Sequence, residues 1–429
     1  MNKIKQLTKN DFNKNVLTLL SGTMVAQGIP IAISPILTRL YTPNDFGVLA
    51  LIVAISAVFG SIANARYEIA IVLPEKDEDA INLTALSVLV ALALSFSLFA
   101  IIVLFHNPIL SMLGNENISF WLYMTPVIVF FIGLFNTLNF LNTRFKQYKF
   151  VARAKMYKAV VSAAIQVIAG LIKPNVHGLV GGQLSAHIFG NGSLLIRLMK
   201  NKELLAKIKF TEMKRLAKEY INFPKYSMWA VLANNLSQNI ISIFISMLFS
   251  TITLGFYSLV NRILATPSLL IGTSIGQVFF QQATAEKNKH GHSIKTYKST
   301  MKKLLYLAIP AYVIMFVFIE DVIIIVFGED WSTAGQYAQI MMPLFFFRFI
   351  TSPVSTIVSV YQKNGIDLAI QFSMLFITAI DFVIALFFHL NVEEFLYLLT
   401  YSLVVHRIGT FYIYYKISKG TSEQSTPTV

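Results

Sequence analysis

Long apolar stretches alternate with short polar segments along the whole chain. A helix that crosses a bilayer needs about 20 mainly apolar residues, because the hydrocarbon layer is about 30 Å thick. About twelve stretches reach that length. They cover residues 16–37, 46–66, 80–105, 120–141, 156–172, 179–199, 226–249, 254–279, 301–327, 337–361, 368–388 and 395–415. Because a helix satisfies its own backbone hydrogen bonds in lipid, the pattern predicts an all-α integral membrane protein with about 12 transmembrane helices.

The most basic stretch of the chain, residues 197–225, separates the first six predicted spans from the last six. A segment this polar cannot lie in hydrocarbon, and its positive charge places it on the cytoplasmic side. The sequence therefore predicts four parts. They are an N-terminal six-helix lobe (1–199), a basic cytoplasmic linker (200–225), a C-terminal six-helix lobe (226–418) and a cytoplasmic tail (419–429).

The other connecting segments differ in charge from one side of the membrane to the other. Segments 144–155 and 287–303 each carry several Lys or Arg, whereas the loops HNPILSMLGNENIS, STIT and HLNVEE carry none. This asymmetry predicts cytoplasmic N- and C-termini. The basic N-terminus shows no small-residue cleavage signature, so we expect an uncleaved first span.

An internal repeat is visible in two places. FGVLAL, which begins at Phe46, resembles LGFYSL, and MLGNENISFWLYMTPVIVFF resembles VFGEDWSTAGQYAQIMMPLFFF. The second match aligns Gly114 with Gly328 and Pro126 with Pro343. The offsets are about 208 to 217 residues, and both halves start inside, so we expect two lobes related as parallel repeats that bind substrate between them near the midplane.

Composition and charge narrow the classes of function. Apolar residues make up 55% of the chain and charged residues 13%, and the mean hydropathy is +0.63. The net charge of +14 lies mostly in the connecting segments, so no nucleic-acid partner is needed to explain it. Cysteine is absent, which excludes disulfides and thiolate metal sites. We find no phosphate-binding loop or zinc-protease motif, and we expect neither a metal site nor ATP-driven pumping.

Ionisable side chains inside the spans are the first candidate functional residues, because a charge in hydrocarbon must face a partner or water. The set consists of arginines and one aspartate, with no lysine: Arg66, Arg262, Arg348, Arg407 and Asp381. Arginine's planar fork matches phosphate oxygens, so the excess of arginine favours a phosphate or diphosphate ligand.

Each of these residues also has a structural interpretation. Arg348, in LFFFRFI near the middle of a span, could instead form a buried ion pair with Asp381. For Arg262, the sequence favours a role in a cavity and a structural role equally. For Arg66, a local pair with Glu68 or snorkelling to the interface is an alternative. Similar alternatives apply to Arg407, which lies near the inner half of the last span. Asp381 could bind Na⁺ or a proton, or pair with an arginine.

Uncharged polar residues form stripes on several spans. The seventh span carries Asn234, Asn235, Gln238 and Asn239, the fourth carries Asn136, Asn139 and Asn142, and the sixth carries Gln183, His187 and Asn191. Such stripes could meet sugar hydroxyls in a hydrated passage. The alternative is hydrogen bonding between helices.

Five segments, taken in order, resemble the polysaccharide transporter family. They are RLYTPNDFG, RYEIAIVLPEKDEDAINL, FPKYSMWAVLANNLSQNI, LGFYSLVNRILATPSLLIGTSIGQVFFQ and FGEDWSTAGQYAQIMMPLFFFRFITSP. Its members are Wzx-like flippases of O-antigen and capsule repeat units, within the multidrug/oligosaccharidyl-lipid/polysaccharide exporter superfamily. The resemblance extends over nearly the whole chain.

The resemblance implies a MATE-like fold of two six-helix lobes around a central cationic cavity. It implies that the protein moves undecaprenyl-diphosphate-linked oligosaccharide across the bacterial cytoplasmic membrane by alternating access, in the synthesis of lipopolysaccharide O-antigen, capsule or another surface polysaccharide. Arg348 and Arg262 would contact the diphosphate, while Asn235, Gln238 and Asn239 would face the glycan. A polysaccharide polymerase and a chain-length regulator are the protein partners expected, and no cofactor beyond Na⁺ or H⁺ coupling.

Three alternatives compete with this interpretation. A multidrug exporter or ion antiporter of the same superfamily would need acidic cavity residues for organic cations, and the excess of arginine argues against it. A membrane polymerase or ligase of lipid-linked glycans would be expected to carry a larger outer loop. A scaffold for the glycan assembly machinery is the third alternative.

Overall fold

The structure, a computed structural model, describes residues 22–113, 118–199 and 202–420, and within these ranges it contains helices and no strands. The helices are α1 (described over 22–40), α2 (Pro43–Gly60), α3 (Tyr67–Ala70), α4 (Asp77–Leu104), α5 (His106–Leu113), α6 (Ser119–Arg144), α7 (Tyr148–Ile172), α8 (Val176–Met199), α9 (Lys202–Leu205), α10 (Phe210–Glu219), α11 (Met228–Leu248), α12 (Thr251–His290), α13 (Ile294–Phe327), α14 (Ser332–Thr351), α15 (Ile357–Val360), α16 (Asn364–Phe388) and α17 (Val392–Ser418). A π-helical turn (Phe223–Ser227) precedes α11, and a 3₁₀ turn (Glu329–Trp331) precedes α14.

The prediction of an all-helical, multi-pass membrane protein is confirmed. Every predicted span overlaps a helix in the described part of the chain, and the tenth, 337–361, takes in both α14 and α15. Seven of the described helical segments are long and apolar enough to cross a membrane: Pro43–Gly60, Asp77–Leu104, Ser119–Arg144, Tyr148–Ile172, Phe223–Leu248, Ile294–Phe327 and Gly365–Phe388. The number of twelve spans and the cytoplasmic termini stay predictions, and residues 16–21, Gly114 and the end of the tail lie outside the described residues.

Hydropathy misplaced some helix ends. The second span was predicted over 46–66, but α2 ends at Gly60 and the chain then turns. Arg66 adopts a left-handed conformation with φ of 68°, which an L-residue cannot hold within an α-helix. The buried Asn64 stabilises the turn by donating hydrogen bonds to the Ser87 carbonyl and to Thr137 Oγ1. A hydropathy average over the whole stretch does not show where the helix ends and this turn begins.

The chain divides into two compact units, Met1–Gly255 and Phe256–Val429, and α12 begins in the first and continues in the second. The six-helix lobes predicted from the sequence stay a prediction. Within the first unit α11 packs against α2, and α6, α7 and α8 pack against one another. Within the second unit α14 packs between α13 and α17.

Two glycines of the internal repeat form a reciprocal contact in the first unit. A Cβ atom on Gly47 would lie 1.7 Å from the Thr251 carbonyl oxygen, and one on Gly255 would lie 1.8 Å from the Pro43 carbonyl oxygen. The two contacts are equivalent under the shift of about 208 residues that relates FGVLAL to LGFYSL. A symmetric contact of this kind is what a two-fold relation between repeats produces.

The described part of the basic segment is attached to the first unit. Leu216 of α10 is fully buried, and Tyr67 donates a hydrogen bond from its hydroxyl to the Ala217 carbonyl at 3.0 Å. Arg215 forms ion pairs with Asp79, near the start of α4, and with two acids of its own helix. The motif RYEIAIVLPEKDEDAINL thus holds the segment in place, and part of its positive charge is balanced there.

Candidate functional site

Two arginines of the second unit form a cationic cluster, defined here by Arg348 and Arg407. Arg348 lies in α14 and Arg407 in α17, two helices that pack on each other. Both side chains are half-buried and lie within electrostatic range of each other. The Cζ atom of Arg348 lies 5.8 Å from the centre of the Phe345 ring, and Arg407 Nη2 lies 3.9 Å from Met374 Sδ.

The cationic cluster has no acidic partner at close range. Among the described residues, the recorded ion pairs of up to 4 Å include neither Arg348 nor Arg407. The alternative of a buried pair between Arg348 and Asp381 is therefore wrong. Asp381, which is 3% exposed, instead accepts a 2.6 Å hydrogen bond from Ser402 Oγ on α17. The charge of the two guanidinium groups is left for an anion or water to balance.

Tyrosines surround the cationic cluster. Tyr257 and Tyr312 lie within electrostatic range of Arg348, and Tyr414 lies within range of Arg407. The Tyr312 hydroxyl donates to the Phe345 carbonyl at 3.2 Å, which fixes the ring beside α14. Each guanidinium carries five N–H donors and no acceptor, so the arrangement is built to bind oxyanions.

The other two predicted arginines, Arg262 and Arg66, lie in the second and the first unit respectively. Arg262 is half-buried on α12 in the second unit, and Thr266 donates to its backbone carbonyl at 2.6 Å. Arg66 lies in the first unit and pairs with Glu68 at 3.1 Å. This ion pair with Glu68 is one of the alternatives that the sequence suggested for Arg66. Glu68 is buried, with 2% of its surface exposed. Neither arginine is one of the two that define the cationic cluster.

The amide side chains of α11 bond mostly along their own helix. Gln238 Nε2 donates to Asn234 Oδ1 at 2.9 Å, so these two residues are neighbours on one face of the helix. Asn235 donates to the Val231 carbonyl at 3.0 Å and Asn239 to the Asn235 carbonyl at 2.8 Å. These recorded bonds do not join α11 to another helix, so they do not support the interpretation of the stripe as interhelical hydrogen bonding.

A cavity with both polar and apolar walls lies in the first unit, between α2, α6, α7 and α8. Its volume is about 270 Å³. Its polar lining consists of Ser56, Asn136, Lys158, Gln183 and His187, with Phe135 and other apolar side chains around them. We call it the first-unit cavity. Asn139, predicted together with Asn136, does not line it, and the Asn139 carbonyl accepts a hydrogen bond from Thr143 Oγ1 at 2.8 Å.

Lys158 is the functional candidate that the sequence analysis missed. It lies inside α7 and within the predicted span 156–172, yet it was not counted among the charges in the spans. Its Nζ atom lies 5.2 Å from the centre of the Phe135 ring. The sequence does contain a signal for a charge inside the span. The basic run at 144–155 ends before Lys158, and the apolar stretch has already begun there.

The fold of the chain is similar to the folds of several solved helical membrane transporters. The chain is similar to the lipid II flippase MurJ in an inward closed conformation (TM-score 0.71, 12% identity, 94% of this chain and 89% of that one). It is also similar to a multidrug resistance MATE family transporter in an inward-facing conformation (TM-score 0.65, 13% identity, 94% of each chain). An outward-facing conformation of such a transporter gives a TM-score of 0.61 at 12% identity, again over 94% of each chain.

The chain belongs to the polysaccharide biosynthesis protein family, whose model matches residues 36–336. A curated relative from Klebsiella pneumoniae is described as an uncharacterized membrane protein in the cps region. It is 20% identical over 356 residues, which are 82% of this chain and 71% of that protein. The family resemblance predicted from the five segments is confirmed.

Proposed function

We propose that this protein is a flippase for undecaprenyl-diphosphate-linked oligosaccharide repeat units. It moves them from the cytoplasmic to the outer leaflet of the bacterial cytoplasmic membrane for assembly into O-antigen, capsule or another surface polysaccharide. The observation that carries the proposal is the cationic cluster, two half-buried guanidinium groups within a membrane bundle that form no close ion pair with any carboxylate of the described residues. Membership of a polysaccharide biosynthesis family supports the choice of a glycan substrate.

The diphosphate is the part of such a substrate that the cationic cluster would bind. A diphosphate in hydrocarbon depth must be balanced by positive charge, and arginine binds phosphate oxygens through two parallel N–H groups. Arg348 and Arg407 are proposed to make these contacts, with Arg262 on α12 as a further contact in the same unit. Arg66 is left out of the proposed site because Glu68 already balances its charge.

An apolar groove of the second unit suits the isoprenoid chain next to the diphosphate. The groove runs between α13 and α14, has a volume of about 300 Å³ and is lined by Tyr312, Val313, Phe316, Met342 and other apolar side chains. Tyr312 lines this groove and also lies near Arg348. A lipid could therefore place its first isoprene units in the groove while its diphosphate meets the cationic cluster.

The glycan needs a hydrated path, and the amides of Asn234, Asn235, Gln238 and Asn239 are proposed to face it. Their carbonyl and amino groups can exchange hydrogen bonds with sugar hydroxyls. Alternating access is the proposed mode of transport. The likeness of this chain to both inward-facing and outward-facing MATE structures supports it, because the same architecture is found in both conformations.

The cationic cluster disfavours a multidrug exporter, because organic cations would be repelled by two unbalanced guanidinium groups. Deletion of the gene separates the two functions. The flippase account expects loss of one surface polysaccharide and accumulation of its lipid-linked repeat unit on the cytoplasmic side, measured by mass spectrometry of extracted lipids. Increased sensitivity to cationic drugs with normal surface polysaccharide would instead indicate an exporter.

Asp381 is the proposed site of coupling to an ion gradient. Its carboxyl group is buried and bonded to Ser402 Oγ, and the recorded ion pairs of the described residues include no partner for it. A buried carboxyl without a cation tends to be neutralised. A single hydroxyl is a poor coordination shell for Na⁺, so a proton is the ion that fits this pair of groups.

Replacing Asp381 by asparagine is expected to make flipping independent of the proton gradient, because the amide keeps the hydrogen bond to Ser402 but cannot release a proton. The measurement is the rate of flipping in proteoliposomes with and without an imposed pH difference. Asp321→Asn, at an exposed position of α13, is the matched control and should retain the wild-type response. An unchanged response in Asp381→Asn would assign Asp381 to structure alone.

A further inference from the structure

The first-unit cavity contains a cation that no carboxylate balances. Lys158 occupies the interior of α7, and no side chain that lines the cavity is acidic. The recorded ion pairs of the described residues, counted up to 4 Å, do not include Lys158. An ammonium group at this depth is costly unless it meets an anion or water. The cavity therefore presents a positive charge that is available to a ligand.

Two further polar groups of the cavity are buried without a partner. Ser56 is 2% exposed and His187 is 3% exposed. The Ser56 hydroxyl oxygen and the His187 Nδ1 atom form no hydrogen bond, although both side chains line the cavity. His187 also lies within electrostatic range of Lys158. Buried polar atoms normally have a partner, so unsatisfied ones that line a cavity point to a ligand or to water.

The size and the other lining groups narrow the class of ligand. Pockets for small molecules measure roughly 300–1,000 Å³, and about 270 Å³ fits one sugar rather than a whole repeat unit. The amides of Asn136 and Gln183 can donate to and accept from hydroxyl groups. The Phe135 ring offers an apolar face against which the C–H face of a sugar can pack. One ammonium balances one negative charge, which suits a carboxylate better than a diphosphate.

We propose that the first-unit cavity is a subsite for a carboxylate-bearing sugar, such as a uronic acid, within the lipid-linked glycan. Lys158 binds the carboxylate, His187 and Ser56 donate to its oxygens or to a neighbouring hydroxyl, and Asn136 and Gln183 bind the ring hydroxyls. The inference rests on the proposed function and adds a preference for acidic glycans to it. It also separates two tasks, because arginines suit the diphosphate and this lysine suits the sugar acid.

The test measures binding of three probes to the full-length protein in lipid nanodiscs by calorimetry. The probes are D-glucuronate, D-glucose and inorganic phosphate. Wild-type protein is expected to bind glucuronate about tenfold or more tightly than glucose, because a hydrogen bond to a charged group is stronger than one between neutral groups. Phosphate is expected to bind at the cationic cluster instead, so Lys158→Gln should leave its affinity unchanged. Lys158→Gln should lower the affinity for glucuronate to that for glucose, and Lys158→Arg should keep most of the preference.

Lys155→Gln is the matched control. Lys155 lies about one turn earlier on α7, outside the cavity lining, and donates to Thr23 Oγ1 at 3.3 Å. It should retain the wild-type preference. His187→Phe, which keeps a ring and removes its nitrogen atoms, should weaken glucuronate binding several-fold and serves as a second test if Lys158→Gln does not fold.

The inference is overturned if wild-type protein shows no preference for glucuronate over glucose. It is equally overturned if Lys158→Gln retains the preference, or if Lys158→Gln weakens phosphate binding as much as glucuronate binding. Flipping of a neutral lipid-diphosphate glycan in proteoliposomes separates this failure from that of the proposed function. If wild type flips the neutral glycan but has no preference for glucuronate, only the subsite fails. If wild type flips neither neutral nor acidic glycans, the proposed function fails.

Discussion

Replacing Arg348 by alanine is expected to abolish display of the surface polysaccharide while the protein still inserts at the wild-type level. The change removes one of the two guanidinium groups of the cationic cluster, and no nearby acid becomes unpaired when it is lost. Diphosphate passing this point would then meet Arg407 alone. Loss of one charge-assisted interaction of about 1.5–3 kcal/mol slows transport by roughly 10- to 150-fold. The checks are immunoblotting of membranes for the protein and of whole cells for the polysaccharide.

Arg348→Lys should restore only part of the display. It keeps the positive charge, but a lysine ammonium is a point charge that cannot bind two phosphate oxygens through a planar fork. Lys416→Ala is the matched control, because Lys416 lies on α17 beyond Arg407 and stacks on Tyr412, with Nζ 4.7 Å from the ring centre. It should display polysaccharide within about twofold of wild type. Normal display by the Arg348→Ala strain would remove this residue from the mechanism.

Replacing Gly47 or Gly255 by alanine is expected to destabilise the fold strongly. In either case the new methyl carbon would lie less than 2 Å from a backbone carbonyl oxygen, of Thr251 or of Pro43 respectively. A flexible side chain can move aside, but a helix backbone cannot move without separating α2 from α12. Overpacking a core costs about 1–3 kcal/mol and occasionally more. We expect about 3 kcal/mol or more here, because both obstacles are backbone atoms.

The measurement is the free energy of unfolding of each variant in detergent micelles, together with the yield of monodisperse protein. Gly192→Ala is the matched control, since a Cβ atom on that helical glycine has nothing within 4 Å. It should leave stability unchanged or raise it by up to about 1 kcal/mol, because alanine has the higher helix propensity. Wild-type stability in Gly47→Ala and Gly255→Ala would show that the reciprocal contact is not close.

The sequence predicts the class of fold because the cost of burying polar groups in lipid fixes the length and character of each span. It also singles out Arg348 as a candidate, since one arginine in a run of phenylalanines stands out. The partnership of Arg348 with Arg407 could not be predicted. It depends on how α14 and α17 rotate about their axes, which hydropathy does not determine. In the same way, the rotation of α16 and α17 about their axes places Asp381 beside Ser402.

Two further limits have physical causes. Hydropathy averaged over a long stretch does not report where a helix ends, so the predicted second span included the turn at Ala65 and Arg66, which is not helical. Hydropathy also does not show where a basic flanking segment ends and a membrane span begins. For that reason Lys158, one turn beyond Lys155, was not recognised as a charge inside α7. The internal repeat was visible in the sequence, but the contact between Gly47 and Gly255 needed the packing of helices in three dimensions.

The central claim is that two guanidinium groups in the second unit draw a phosphorylated lipid headgroup across the membrane. The most direct test is flipping of a fluorescent undecaprenyl-diphosphate glycan in proteoliposomes, followed by quenching of the label in the outer leaflet. Wild-type protein should expose the label from the inner leaflet, and Arg348→Ala combined with Arg407→Ala should expose it no faster than protein-free liposomes. Equal rates for wild type and the double variant would contradict the claim.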